Sequence, residues 1–357
     1  MPYFAQTWNT ADISGGSRGS LLNSSMQRSK PPGVTRTRAL AGLAFVAIAA
    51  DANGYTYPRF QPVSVAFLDE QHGVVGEDDW TCQKPDGCPG RILVTSDGGA
   101  HWRVTYHGPR GTSLYPVRGT RVVYAITGHV MIESTDAGLH WRHAAMRPMI
   151  VSFVTPTHGW QIGFTLNAVL RRPPPIEETR DGGRSWTPRV NPCPPPDYGQ
   201  VAALSFATAT HGWAVCATQA TAGYQGKEVW ETRDGGTHWQ LEGRTHPIAP
   251  PKPKLQFGNI TGYGYPTGAT FLPDGHGWLL QDRGYMLTTL DGGHTWTPSH
   301  ITKPDTIAAQ SADLLTDKVG FVLLRGCTVR LVRTTDEGEH WTTLDRWNSP
   351  TDCSPTK

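Results

Sequence analysis

The sequence predicts an all-β chain, and three observations predict it. First, 40 Gly and 29 Pro among 357 residues leave only short regular segments between turns, which disfavours a helix bundle or a coiled coil. Second, one octapeptide pattern recurs six times, each copy 39 to 57 residues after the last. Third, short apolar runs of strand character lie between the copies, such as Val151-Ser-Phe-Val154 and Ala214-Val215.

Ahead of the repeats stands a leader. Residues 1–25 are rich in Ser, Gly and Asn and carry no structural signal. Arg28, Lys30, Arg36 and Arg38 then precede an apolar run from Ala39 to Ala50, and small-x-small triplets follow at Ala47–Ala49 and Ala50–Ala52. Basic, apolar, then small is the order of a secretory signal peptide, and twelve apolar residues are short for a membrane span. Residues 1–52 are therefore expected to be a leader and signal peptide, with Met26 an alternative start. The mature protein is expected to be secreted, periplasmic or cell-surface, touching a membrane only through an uncleaved signal anchor. Five of the 32 basic and two of the 30 acidic side chains lie in residues 1–52, so the remainder is close to neutral. Such a chain lacks the basic field that nucleic acid requires.

The repeat reads Ser/Thr-x-Asp-x-Gly-x-x-Trp, with its aspartates at Asp97, Asp136, Asp181, Asp234, Asp291 and Asp336. The carboxylate can accept main-chain N–H groups of its own turn, and the glycine two residues on suits a positive φ. The hydroxyl residue ends one strand, and the Trp opens the next with a large apolar surface. A second repeat lies upstream: His72-Gly-Val, His158-Gly-Trp, His211-Gly-Trp, His276-Gly-Trp and the weaker Val319-Gly-Phe321. Each unit thus reads as strand A, a turn at His-Gly, strand B, a variable loop, strand C, the Asp turn and strand D. In the third unit the strands are expected near 149–155, 159–164, 176–180 and 185–189. Six such units describe a single β-propeller of six four-stranded antiparallel blades, with seven as the alternative.

These boxes resemble the Asp-box, or sialidase-type, repeat family of propellers over roughly residues 60–347. The dense His-Gly-Trp and Asp-Gly-Gly spelling looks most like bacterial secreted relatives of the photosystem II stability/assembly factor family. That resemblance implies an assembly chaperone that contacts its partner through arginines. Sialidases carry the same box and imply the alternative, a sialidase-like or other glycoside hydrolase.

In a four-strand meander the D–A and B–C connections share one face and the A–B and C–D turns share the other. The boxes and eight of the 14 histidines fall at equivalent turn positions, which radiate outward and do not converge on a metal. No cofactor is expected, and the protein is expected to be a monomer. Specificity is assigned to the variable face. Its candidate binding residues for a protein or cell-surface polysaccharide are Trp80, Arg171, Arg172, Tyr198, Tyr224, Tyr263, Tyr265, Arg283 and Arg325. Asp79 and Asp282 are the weak catalytic candidates, as a hydrolytic carboxylate pair.

Six cysteines after a signal peptide suggest disulfides, and no Cys-x-x-Cys pair suggests zinc. Propeller topology places them on the variable face as three local pairs: Cys82–Cys88, Cys193–Cys216 and Cys327–Cys353. The last is expected to tie down a C-terminal tail, residues 348–357. Peptide mapping without reductant is expected to recover these three pairs; free thiols or crossed pairs would refute the assignment.

Overall fold

The computed structural model describes residues 49–50, 56–57, 59–84, 87–128, 130–144, 148–163, 174–193, 200–245, 260–303 and 307–348. Contacts divide the chain into residues 1–46 and 47–357, and every described residue belongs to the second unit. Most of the expected leader, and the expected tail beyond 348, fall outside the described residues. A short antiparallel pair, Ala49–Ala50 with Thr56–Tyr57, precedes the first blade. No helix among the described residues is long and apolar enough to cross a membrane.

Six four-stranded antiparallel sheets follow, each built from four consecutive strands in A-B-C-D order. Blade one comprises Phe60–Phe67, Gly73–Asp79, Pro89–Thr95 and Arg103–Pro109. Blade two comprises Ser113–Pro116, Val123–Thr127, Val130–Ser134 and Arg142–His143. Blade three, at Pro148–Phe153, Gly159–Gly163, Ile176–Thr179 and Thr187–Arg189, lies within a few residues of its expected positions. Blade four spans Gln200–Phe206, Gly212–Ala217, Lys227–Thr232 and Gln240–Arg244. Blade five spans Pro266–Phe271, Gly277–Gln281, Tyr285–Thr289 and Thr297–Pro298. Blade six spans Ala308–Leu314, Gly320–Arg325, Thr328–Thr334 and Thr342–Asn348. The A strands touch one another in a closed cycle, so they form the inner wall of a six-bladed propeller.

The box is a hydrogen-bonded turn. Every strand C ends on its hydroxyl residue, and in blade one Thr95 Oγ1 donates to Asp97 Oδ1 at 2.8 Å while accepting the N–H of Gly99 at 2.9 Å. Asp97 Oδ1 also accepts the main-chain N–H of His101 at 2.9 Å. That main-chain bond, with the His101 ring and Thr95 behind it, holds the Asp97 carboxyl down at about 2. Gly99 lies at φ 96°, as the spacing required.

The His-Gly repeat closes the A–B turn, as expected, with His158 O accepting the N–H of Val154 at 3.0 Å. Its glycine is the first residue of strand B, and none of Gly73, Gly159, Gly212 and Gly277 has a positive φ. The missing side chain makes room for an aromatic ring: a Cβ at Gly212 would lie 2.4 Å from the Phe206 ring, and one at Gly159 would lie 2.5 Å from Phe153. The Phe that ends strand A folds over this glycine and stacks on the strand-B aromatic of the preceding blade. Trp160 and Phe206 stack at 3.6 Å, Trp213 and Phe271 at 4.4 Å, and Phe321 and Phe67 at 3.5 Å across the point where the last blade meets the first. Tyr124 and Phe153 make the tilted version at 4.4 Å. Indole N–H groups reinforce it, Trp160 donating to Gly235 O and Trp213 to Gly292 O in the next blade's box.

The inner strands have a free edge, and side chains of the neighbouring blade supply some of the missing acceptors. Ser152 Oγ accepts the N–H of Phe206 and Ser205 Oγ that of Phe271. At the closing seam Ser311 Oγ accepts Val65 N–H and Asp313 accepts Phe67 N–H at 2.6 Å. Arg118, from the A–B turn of blade two, pairs with Asp313 and donates to the carbonyls of Phe67 and Leu314, joining blades six, one and two. Asp313→Ala would leave both the Phe67 N–H and Arg118 without this acceptor. The substitution is expected to lower the unfolding free energy by about 2–4 kcal/mol, read from urea unfolding of variant and wild type.

Candidate functional site

The variable face carries the longest connections, and two groups of candidate residues come together on it. The first joins the B–C connection of blade four to the segment entering blade five. Gln225 donates its main-chain N–H to Gly262 O, and Gly264 donates to Gly223 O, both at 2.9 Å, so the two segments pair locally. Tyr224 and Tyr263 meet edge to face with ring centres 6.0 Å apart. Gly262 is required beneath Tyr224, because a Cβ there would lie 2.1 Å from the ring. Tyr265 Oη accepts the N–H of Gly223 at 3.0 Å, and its own N–H is held by Asp282 Oδ1 at 2.5 Å. Tyr263 is left 63% exposed, the large apolar residue most open to solvent on this platform.

Arg283 sits at the tip of the adjoining hairpin between Gln281 and Tyr285, with φ at 59°. A left-handed conformation is costly for a residue with a Cβ, and such strain concentrates where a side chain must be aimed. The Arg283 side chain is exposed and passes over Gly223, where a Cβ would lie 3.0 Å from Cζ. The platform therefore offers two tyrosines and an arginine, the residue types that dominate binding energy at protein interfaces, on segments already locked together.

The second group lies where blades one and six meet. The Arg325 guanidinium stacks 3.8 Å from the Trp80 ring. Beside it Asp79 accepts from Arg59 at 2.7 Å and from Thr81 Oγ1 at 2.7 Å. Burial raises its carboxyl, but the Thr81 and Arg59 bonds together outweigh that and leave it lowered. The loop that follows is closed by the Cys82–Cys88 disulfide. A second disulfide, Cys193–Cys216, ties the entry to blade four to its strand B. Cys327 is also disulfide-bonded, and Cys353, its expected partner, lies outside the described residues.

Asp79 and Asp282 thus belong to blades one and five, each engaged by its own loop. Arg171, Arg172 and Tyr198 lie outside the described residues. Among the described residues no cluster of His, Cys, Asp and Glu could hold a metal. Sequence reasoning missed Lys227, which is completely buried under the tyrosine platform. The missing signal is local: a lysine opening a strand ordinarily reads as solvated. A cleft of about 330 Å³ lies on the opposite, box-bearing face between blades two and three, lined by residues that include Tyr124, Arg142, Asp181 and Arg184.

Among the described residues the charge of the variable face is one-sided. Lys84, Arg110, Arg283 and Lys303 are exposed there, whereas Glu77, Asp78, Asp79, Glu228 and Asp282 are buried or half-buried. Burial raises the carboxyl of Glu77 against the opposing Arg91. It likewise raises Asp78, whose oxygens accept the N–H of Gly111.

Residues 265–350 match the family described as photosynthesis system II assembly factor YCF48. The matched stretch takes in blades five and six, and with them Tyr265, Asp282, Arg283 and Arg325. No curated protein matches the chain. Among solved structures, "YCF48 bound to D1 peptide" is 16% identical over 84% of this chain and 87% of that one, with a TM-score of 0.44. YCF48 from Cyanidioschyzon merolae is 14% identical over 80% and 85%, with a TM-score of 0.45. The gluconolactonase XC5397 from Xanthomonas campestris is 14% identical over 76% and 84%, with a TM-score of 0.46.

Because Arg283 is strained, Arg283→Gly is expected to leave stability unchanged or raise it by up to about 1 kcal/mol in thermal unfolding, unlike most truncations of an ordered side chain.

Proposed function

We propose that this propeller is an exported, non-catalytic scaffold that presents its variable face to a protein partner with an acidic contact segment. The observation that carries the reading is the chemistry of that face. Arg283 stands exposed beside a preassembled pair of tyrosines, Lys84, Arg110 and Lys303 are exposed on the same face, and its described carboxylates are buried or half-buried. Such a surface attracts an anionic segment at long range and holds it by aromatic and guanidinium contact at short range. The match of blades five and six to an assembly-factor family supports a protein as the partner. Disulfides on the same face support an oxidising compartment.

The test compares wild type with a Tyr263→Ala/Arg283→Gly variant as immobilised bait for a cell-envelope extract. A protein recovered by wild type, lost with the variant and weakened by added salt is the expected result. Equal recovery by both baits would remove this surface from the reading. Retention of wild type on cell-wall polysaccharide, with no protein recovered, would replace the protein partner by a glycan.

A further inference from the structure

Lys227 opens strand C of blade four, and its side chain is fully buried. Nζ donates to three main-chain carbonyls, Gln225 O at 3.0 Å, Thr261 O at 3.1 Å and Gly264 O at 2.7 Å. These acceptors come from both segments of the tyrosine platform, one on each side of the Tyr224–Tyr263 contact. Among the described residues Lys227 has no carboxylate within ion-pair distance, although the Asp282 charge acts on it. Three N–H donors meet three carbonyls in a water-excluded space, the way main-chain oxygens enclose a bound cation.

We propose that the ammonium group of Lys227 assembles the platform, its three N–H donors joining the two segments where a bound metal ion would otherwise do so. This deepens the scaffold reading by naming what holds its contact surface.

Hydrogen exchange of the whole chain, followed in peptides spanning 218–227 and 260–266 and corrected for chemical exchange rates, reads this directly. In wild type the two peptides are expected to open together, with the same protection and the same urea dependence. Lys227→Met is expected to lose about tenfold or more of the protection in both peptides while peptides of blades one and six keep theirs. Separate opening of the two peptides in wild type overturns the proposal, as does native protection of the platform in Lys227→Met. Should Lys227→Met fail to fold, the wild-type comparison alone decides. No partner enters the experiment, so its failure is distinguishable from failure of the scaffold reading.

Discussion

The structure depends on one recurring contact: the Phe that ends an inner strand, lying over a glycine of its own blade and stacked on the strand-B aromatic of the blade before. Each blade is formed by consecutive strands, and among the described residues no strand is shared across the closure. Side-chain packing must therefore hold the disc together, and a stacked ring pair buries a large apolar area with defined geometry. Where the sequence departs from the pattern the packing adapts. Blade six ends its inner strand on Leu314, so Trp278 of blade five reaches further and lies where a Cβ of Gly320 would be, 2.1 Å from Cη2. At the first step Val74 packs instead with Val123 and Ala125 of blade two.

Closing the ring sets a second constraint, because the inner strands have unpaired main-chain groups facing their neighbours. Serines answer this between blades three and four and between four and five, where flanking strands are continuous in sequence order. At the seam the chain no longer connects the two blades, and a stronger acceptor appears, Asp313 with the Arg118 guanidinium bridging three blades. Charge-assisted bonds exceed neutral ones in strength, so their placement at the one unconnected joint has a physical reason.

The two faces of the disc follow from the same economy of parts. The box face uses its carboxylates for turns, each tied to a hydroxyl and to main-chain N–H groups. The opposite face is free of that duty. Its connections carry tyrosines, arginines and a buried lysine, and its described carboxylates are engaged by side chains and backbone N–H groups close by. A disc of this kind separates the turns that build the fold from the connections that are free to vary.

The sequence by itself determined the strand order and the box turn, because each rests on a short spacing that repeats: hydroxyl to Asp to Gly to Trp; it favoured six blades over seven, and the closed ring decided for six. It also placed Cys82 with Cys88 and Cys193 with Cys216, since loops on one face are close only to their neighbours. It placed the His-Gly turn but not the reason for its glycine. That glycine exists for a ring arriving from six residues upstream and a second from another blade, contacts no local pattern records. Nor could spacing show that Lys227 is enclosed by carbonyls, that Arg283 is strained, or that Arg118 reaches Asp313 almost two hundred residues away. Those depend on which segments the closed ring brings together, and only tertiary structure decides that.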